Sequence, residues 1–287
     1  MKKIIKEILG YALVKWFFLT GKKPDQVLSI TFHQPSVELF CNVISWLKLL
    51  NYRIIALPEL ESVLEQATIN EKVAFITIDD GWCSNLKLLP ILDMEKVPIA
   101  IFIPSEPVLS GNYWWEYAKA DGQLAISGLS RVEDFKSLPE EERSQKIAAI
   151  KAAITLERTC VTKDELTLLA NNKWVTIGSH TITHPILKHC SSLKQEEELA
   201  GSKQVLGEWL AKPIEYFAYP NGDYNADTLR LVKASGYRMS FTDRHGKIEL
   251  PWTNKMEIPR NSLNDEGGYY ENYSKLLGIW QKVFGEN

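Results

Sequence analysis

Cysteine is scarce and scattered in this chain of 287 residues, and a surplus of positive charge is absent. No C-x-x-C pair occurs, and this pattern favours reduced thiols over a disulfide framework. Lys and Arg number 33 against 36 Asp and Glu, which leaves a net charge of -3. No Lys/Arg-rich stretch with interleaved aromatic residues is present, so we expect no nucleic-acid partner. The four cysteines are Cys41, Cys83, Cys160 and Cys190.

The N-terminus lacks the long apolar run of a membrane-spanning helix, which needs roughly 20 such residues. Its sequence, MKKIIKEILGYALVKWFFLTGKK, starts basic and turns apolar, but Glu7 and Lys15 interrupt it and no A-x-A-like cleavage site follows. Residues 1–24 instead predict an amphipathic helix. Three alternatives stay open: packing on its own domain, contact with a membrane surface, or a signal sequence. Without a clear export signal we expect a cytoplasmic protein, with peripheral contact to the inner membrane surface as an alternative.

Repeats, low-complexity tracts and linker-like segments are also absent, so residues 25–287 are predicted to form one domain. What recurs is a short apolar, β-branched run followed by a helical pattern. Such alternation predicts an α/β fold with a parallel sheet, and about seven strands favour a closed or nearly closed (β/α) barrel. A helical insertion is expected at about 111–172. The predicted strands are 27–32, 52–57, 73–78, 99–103, 174–177, 214–219 and 237–242, with 256–259 as a last short one.

Polar residues follow these predicted strands, where each strand ends. In α/β barrels the carboxyl ends of the strands form the face on which active sites are built. We therefore expect these side chains to meet at one site. They are His33, Asp79-Asp80, Gly178-Ser179-His180, Pro220-Asn221-Gly222 and Asp243.

The histidines of GSHTITHPIL, His180 and His184, have a spacing that suits metal binding. Four residues apart, they share one face of a helix or meet across a strand-to-helix turn, which Pro185 favours. Two imidazoles and one carboxylate are a common ligand set for catalytic Zn²⁺. The alternative is two surface histidines near a helix start.

The adjacent acids of ITIDDG, Asp79 and Asp80, could divide metal binding and general-base catalysis between them. One of Asp79 and Asp80 could complete the metal site. The other, held ionised beside the cation, could take a proton from an attacking water as general base. The alternative is a simple turn in which Gly81 supplies a positive φ.

Three motifs, ITIDDG (76–81), GSHTITHP (178–185) and FAYPNG (217–222), resemble those of the NodB-type polysaccharide deacetylases, carbohydrate esterase family four. The resemblance runs from about Leu28 to Arg260. It implies a distorted (β/α) barrel and one divalent metal, with zinc preferred and Ni²⁺, Co²⁺ or Fe²⁺ as alternatives. Carried over by position, Asp79 would be the general base, and the backbone N–H of Asn221 would face the developing oxyanion. The implied metal ligands are Asp80, His180 and His184.

Two features depart from the family pattern. An arginine often opens the third motif, but Phe217 stands there; Arg260 could supply that charge from the last strand, or be an ordinary exposed arginine. The usual C-terminal leucine-x-histidine motif, which carries the general acid, is absent. His33 could replace it, as in the permuted branch of poly-N-acetylglucosamine deacetylases, or be a packed core histidine.

Aromatic residues near these motifs are candidates for contact with a sugar ring, although core packing is the alternative for each. Asp243 could bond to His33 or be solvated. Predicted substrate contacts are Tyr219, Pro220, Trp82, Trp114 and Trp115, with Trp252 as a further candidate.

Together these features predict a metal-dependent amide hydrolase that N-deacetylates an acetamido sugar in envelope or surface glycan biosynthesis. The sugar could be free, nucleotide-linked, lipid-linked or polymeric. One alternative is a deformylase acting on a formamido or lipid-linked sugar. Another is a catalytically inactive sugar-binding module.

Overall fold

The computed structural model describes residues 2–285; Met1, Glu286 and Asn287, which the predicted helix and domain include, lie outside the described residues. Eight strands form one parallel sheet. They are β1 (Val27–Phe32), β2 (Tyr52–Ile54), β3 (Lys72–Asp79), β4 (Ile99–Ile103), β5 (Val175–Ser179), β6 (Tyr216–Ala218), β7 (Met239–Phe241) and β8 (Asn261–Ser262).

Helices separate the strands and surround the sheet. They are α1 (Lys2–Leu19), α2 (Val37–Leu49), α3 (Leu57–Leu64), α4 (Leu89–Glu95), α5 (Ser105–Ser110), α6 (Trp114–Leu124), α7 (Val132–Lys136), α8 (Glu140–Ala153), α9 (Lys163–Asn171), α10 (Ser192–Leu210), α11 (Ala226–Ala234), α12 (Tyr269–Leu276) and α13 (Trp280–Phe284). Helices α5 to α9 all lie between β4 and β5, and α6 to α9 fall within the stretch of about 111–172 for which a helical insertion was predicted. The division into domains stays a prediction.

The sheet has the order β7-β6-β5-β4-β3-β1-β8, and β2 pairs with the first part of β3. It curls into a half-barrel with the helices around it, which confirms the predicted distorted (β/α) barrel. The strands predicted at 27–32 and 99–103 have those limits in the structure. Both are buried along their whole length, as expected of parallel strands covered on two faces.

The predicted strand at 256–259 is misplaced, because the chain there connects two edges of the sheet. Ile258 bonds to β7 through the Ser240 carbonyl and the Thr242 N–H, and β8 then pairs with β1 at Ile30 and Thr31. Residues 255–263, the bridging segment, thus contact β7 first and β1 afterwards. Backbone hydrogen bonds consequently continue from one edge strand to the other.

Alternate residues of each strand face two different hydrophobic clusters, as the period of two requires. The larger cluster lies between the sheet and the helices, and the smaller one fills the inside of the curled sheet. Inward-facing members of β3, β4 and β7 include Phe75, Phe102 and Phe241. Neighbouring Ile76 and Ile101 belong to the outer cluster. The parity of a residue in its strand therefore decides whether it reaches the barrel interior.

Helix α1 packs on α12 across a close backbone approach. A Cβ added to Gly10 would lie 2.5 Å from the backbone of Tyr270 and Glu271, so only glycine permits this contact. Val14 and Phe17 are buried on the same face. In the part of the chain that the structure describes, no helix combines the length and apolarity needed to cross a membrane.

Candidate active site

Polar residues stand at the strand ends, at positions of the two-residue alternation that face the barrel interior. His33 continues the alternation of Val27, Ser29 and Thr31, and Asp79 continues that of Phe75 and Thr77. His180, Asp243 and Arg260 extend the inward-facing positions of β5, β7 and the bridging segment in the same way. Because the period of two brings all five to one end of the barrel interior, strand parity is a signal that the sequence already contained.

Asp80 has the opposite parity and reaches the interior by a turn of the backbone. Its φ is +74°, and Gly81 follows with a φ of +72°. A Cβ on Gly81 would lie 2.4 Å from Ile103 Cδ1, so this turn requires glycine. Tyr113 Oη donates to the Asp80 carbonyl at 3.0 Å, and Trp82 Nε1 donates to Asp80 Oδ2 at 3.1 Å. The carboxylate is thereby fixed with Oδ1 left toward the two histidines.

The predicted ligands Asp80, His180 and His184 come together in the structure. Asp80 Oδ1 lies 3.6 Å from His180 Nε2 and 3.4 Å from His184 Nε2. One ligand atom from each residue lies within 4.8 Å of the other two, and all three side chains are buried. These separations are compatible with a single small cation at their centre.

The hydrogen bonding of the two histidines and of Asp80 is also compatible with a bound cation. His180 Nδ1 lies 2.7 Å from the Ala218 carbonyl oxygen, so Nδ1 carries the proton and Nε2 presents a lone pair. Burial, followed by the neighbouring His180, lowers the pKa of His184 well below its usual value and keeps it neutral. Asp80 Oδ1 is buried with no hydrogen-bond partner among the described residues. An orphaned acceptor beside the Nε2 atoms of two imidazoles is expensive without a cation, and a divalent metal would satisfy all three atoms.

The chain between the two histidines is held by Glu198 of α10, which the sequence reasoning missed. Glu198 Oε2 accepts hydrogen bonds from the N–H groups of Ile182 and Thr183 at 2.8 and 2.9 Å. Its other oxygen accepts from Thr183 Oγ1 at 2.8 Å, and the carboxylate is fully buried. Since a buried carboxylate needs such donors, Glu198 and this loop fix one another. A sequence alone does not show which helix faces the loop.

Arg260 forms the second half of the site, together with Asp79 and Asp243. Its Nη1 and Nη2 donate to the two oxygens of Asp79 at 2.7 Å each, and Nη2 also donates to Asp243 Oδ1 at 2.7 Å. Arg260 is fully buried, so the alternative of an ordinary exposed arginine is wrong. Asp243 bonds to Arg260 rather than to His33, which corrects one of the two alternatives given for it, while its side chain stays partly exposed in a bend, as the other alternative expected.

The charge on Asp79 is stabilised by this pairing. Burial alone would raise the pKa of Asp79, but the Arg260 guanidinium outweighs burial and holds that pKa well below its usual range. Asp80 has no such partner, and burial raises its pKa. One carboxylate is therefore ionised by its protein neighbours, whereas its neighbour in sequence is left for a cation.

His33 lies in the wall of the pocket with its side chain exposed, so it is not a packed core histidine. Partial removal from water lowers its pKa, but the carboxylates of Asp80, Asp79 and Asp243 outweigh this effect, and the pKa is raised overall. A protonated imidazole at this place could donate a proton.

Asn221 lies in the pocket wall in the left-handed conformation, with a φ of +53°. Its Nδ2 is buried without a hydrogen-bond partner among the described residues. The strained turn and the unsatisfied donor both indicate a group placed for a ligand.

Tyr219 and Pro220 do not line the pocket, so the prediction that they contact substrate is corrected. Tyr219 shares the parity of Phe217 and points into the outer cluster. Its hydroxyl lies 3.0 Å from Ser240 Oγ and donates to the Met256 carbonyl at 2.9 Å. Pro220 is buried beneath the turn.

The tryptophans differ in position. Trp82, Trp114 and Trp115 line the pocket. Trp114 Nε1 donates to the His184 carbonyl at 2.9 Å, and the ring of Trp115 lies 4.6 Å from that of His184. Trp252 packs instead on the inner cluster and does not line the pocket. The helical insertion, where Trp114 and Trp115 stand, thus forms one wall of the site.

These residues surround a pocket of about 860 Å³, which is within the range of small-molecule sites. The remaining wall comes from the loop that follows β8, with Asn264, Asp265 and Glu266. The structure therefore assembles every predicted metal ligand and predicted catalytic residue at one end of the barrel. Their roles remain predictions.

Comparison with known proteins gives concordant results. The family model described as polysaccharide deacetylase matches residues 66–240, more than half of the chain. Bacillus subtilis (strain 168) YxkH, a protein named for the same family, is 33% identical over 72 residues; the match spans about a quarter of each protein, 25% of this chain and 26% of YxkH.

Two solved structures share the fold. Streptococcus pyogenes deacetylase PplD, solved in complex with acetate, aligns with a TM-score of 0.61 and 16% identity, over 88% of this chain and 98% of PplD. IcaB from Ammonifex degensii aligns with a TM-score of 0.63 and 17% identity, over 90% of this chain and 98% of IcaB. At these identities the likeness is one of fold.

Proposed function

The chain belongs to the polysaccharide deacetylase family, and from this membership we propose that it hydrolyses the acetamide of an N-acetylated sugar in a metal-dependent reaction. The observation that carries the proposal is the pairing of two unlike carboxylates, Asp79 and Asp80. Asp80 presents an unsatisfied oxygen to the Nε2 atoms of two imidazoles, and Asp79 is ionised beside it by Arg260. Amide hydrolysis needs both a cation site and a base, and they lie side by side here.

Asp80, His180 and His184 would hold one divalent ion, for which zinc is our first choice and Ni²⁺, Co²⁺ and Fe²⁺ are alternatives. A bound cation of this kind would polarise the amide carbonyl and make an attacking water more acidic. The three protein ligands leave a coordination position open, as catalytic sites require.

Asp79 would accept the proton of the attacking water. Each of its oxygens accepts one hydrogen bond from Arg260, and an ionised carboxylate oxygen has a second lone pair for the water. Arg260 both orients this carboxylate and keeps it charged. The low pKa makes Asp79 a weak base, so it depends on a water that is already acidified.

Asn221 and His33 would handle the two charges that appear during the reaction. The Asn221 N–H, and Nδ2 beside it, would donate to the carbonyl oxygen as it becomes an oxyanion. His33, with its raised pKa, would give a proton to the departing amine nitrogen. Acetate and a free amino sugar then leave. Trp82, Trp114 and Trp115 offer ring faces and edges to the sugar.

The same residues would hydrolyse a formamide, so a formamido sugar is a second candidate substrate. A lipid-linked carrier is favoured by one observation: the pocket wall at Asp265 bonds to α1, through Lys3 Nζ and the Asp265 carbonyl at 3.3 Å. An inactive sugar-binding role is disfavoured by the assembled site. We place the reaction in envelope or surface glycan assembly.

The test measures acetate and formate release from acylated amino sugars, with metal content determined on the same samples. We expect Asp79→Asn to bind metal but lose at least about 100-fold in rate, because a general base contributes about 10²–10⁴-fold. His184→Ala should lose both metal and activity, whereas the exposed His189→Ala serves as its matched control. Full activity in His184→Ala, or in metal-free protein, would overturn the proposal.

A further inference from the structure

Helix α1 turns an apolar surface away from the protein. Its buried residues, Gly10, Val14 and Phe17, follow a helical spacing of four and three, so the opposite side of the helix faces outward. We call this opposite side the outer face. It consists of Ile4, Ile5, Ile8, Leu9, Ala12, Trp16 and Leu19, all of them exposed. Ile8 is 63% exposed and Leu19 is 76% exposed.

Two polar side chains of the helix, Lys6 and Glu7, point toward α12, whereas Lys15 is exposed beside the residues of the outer face. Glu7 accepts hydrogen bonds from the backbone N–H groups of Tyr270 and Glu271, at 2.8 and 3.3 Å, and so caps α12. Lys6 Nζ lies 3.5 Å from Glu271 Oε1. A surface helix ordinarily buries its apolar side and exposes its charges. Helix α1 buries Val14 and Phe17 but exposes a second apolar side as well, which indicates that the outer face meets something other than bulk water.

The rest of the described surface shows no comparable cluster. Nineteen large hydrophobic side chains are exposed among the described residues, and eight of them lie on α1. The other eleven are distributed over the remaining helices and loops, and single residues of this kind are ordinary. A contiguous apolar surface marks a site of contact with a partner or a membrane.

The charges around the outer face identify the partner. Glu7 is the only acid of α1 and is turned inward, whereas Lys15, Lys22 and Lys23 are exposed. Lys22 Nζ lies 4.0 Å from the Trp16 ring centroid, so a cation stands at the edge of the apolar surface. Apolar residues with aromatic rings and flanking lysines suit the interface of an anionic lipid bilayer, where acyl chains accept the former and headgroups the latter.

We propose that α1 docks the protein on an anionic lipid bilayer surface through the outer face. This inference does not depend on the reaction proposed above. Docking would bring the pocket wall at Asn264–Glu266 close to the headgroups, because Lys3 of α1 bonds to the Asp265 carbonyl. A glycan attached to the membrane would then reach the pocket without leaving the surface.

The test is co-sedimentation of the full chain with vesicles, either phosphatidylcholine alone or a mixture with about one-third phosphatidylglycerol. We expect binding to the anionic vesicles that weakens when the salt concentration is raised, because headgroup attraction is screened. The double variant Ile5→Ser/Ile8→Ser should lower the partition coefficient at least about tenfold. Leu193→Ser, at a residue 78% exposed on α10, is the matched control and should bind as the wild type does. Circular dichroism and thermal unfolding establish that each variant is folded.

Several results would overturn the proposal: no sedimentation with anionic vesicles, equal binding to both vesicle types, or equal loss of binding in Leu193→Ser. Light scattering measures the oligomeric state and so tests whether a second copy of the chain, rather than a membrane, covers the outer face. A dimer that Ile5→Ser/Ile8→Ser dissociates, without vesicle binding by the wild type, would assign the outer face to a second copy of the chain.

Discussion

The two sides of the pocket floor use adjacent carboxylates in opposite ways. On one side, the charge of Asp79 is balanced within the protein, because Arg260 binds both of its oxygens. The same guanidinium also binds Asp243. On the other side, Asp80 faces two buried imidazoles and keeps one oxygen without a hydrogen-bond partner among the described residues. The first side is complete in the folded protein, and we propose that a cation completes the second. A backbone turn between two consecutive residues separates them.

Arg260→Met should have the largest effect, because it removes the guanidinium that binds both oxygens of Asp79. Loss of one partner of a buried ion pair costs about 3–5 kcal/mol of the free energy of unfolding. We expect a loss of that size in urea unfolding of metal-free protein. The double variant Asp79→Asn/Arg260→Met should recover part of the loss, since it leaves no buried charge on Asp79. Equal losses in single and double variants would show that the pairing is not what stabilises this side.

The same variant should also reverse the pH dependence contributed by Asp79. In the wild type its folded pKa lies below the unfolded value, so the contribution to stability is lost as the pH falls. Without Arg260, burial raises the folded pKa, and stability then decreases as the pH rises above the unfolded value. Unfolding at pH 3 and pH 5 measures the wild-type loss, which occurs below the unfolded pKa of about 4. Unfolding at pH 5 and pH 8 measures the opposite trend in the variant.

Metal removal, which tests the Asp80 side, should have the second largest effect on the free energy of unfolding. A cation at a hundred times its dissociation constant adds about 2.7 kcal/mol to the free energy of unfolding. We therefore expect chelator to lower the stability of wild-type protein by about this amount. Metal-free Asp80→Asn should be nearly as stable as the metal-free wild type and should show no chelator effect. A large loss in metal-free Asp80→Asn would mean that this carboxylate has a structural partner.

Trp82→Phe tests the fixing of Asp80 by a single hydrogen bond. The indole Nε1 donates to Oδ2, and loss of such outer support lowers metal affinity by about 10–100-fold. Zinc titration against a competing chelator measures it. Trp115→Phe, in the same wall, carries no hydrogen bond to the carboxylate and is the control. Unchanged affinity in Trp82→Phe would show that Asp80 is oriented by its backbone turn alone.

Asp243→Asn should have the smallest effect, because Asp243 is 37% exposed and water can replace its contact. We expect a loss of about 1 kcal/mol or less in the free energy of unfolding. Arg260 remains bound to Asp79, so the decrease in kcat should be below that of Asp79→Asn. A loss of stability equal to that of Arg260→Met would show that the contact of Arg260 with Asp243 contributes as much to stability as its contact with Asp79.

The parts of the molecule that were predictable follow local rules. Strands β1 and β4 are short apolar runs with clear ends, and a parallel strand covered on both faces needs nothing else. The motif residues at the strand ends follow from the fold, since all carboxyl ends meet at one face. The pattern therefore predicted His180, His184 and one of the two adjacent acids as a group, and the resemblance to the family chose Asp80.

The contacts that the sequence did not show depend on distant chain segments. For Arg260 the sequence left two alternatives, a supplied charge at the site or an exposed arginine, because nothing local reveals that its segment crosses between β7 and β1. Glu198 is one of several acids in α10, and only the packing of α10 selects it. Tyr219 was misassigned for another reason: the strand parity that turns it outward was available but not applied.

The bridging segment has a consequence for folding during synthesis. All three proposed metal ligands lie before residue 185, whereas the guanidinium that holds Asp79 belongs to residue 260, 181 positions further along the chain than its partner. Domains emerge from the ribosome from the N-terminus onward, and contacts between distant residues form late. A nascent chain can thus complete its cation site while the base is still uncompensated, and hydrolytic competence should appear only when the C-terminal quarter has joined the barrel.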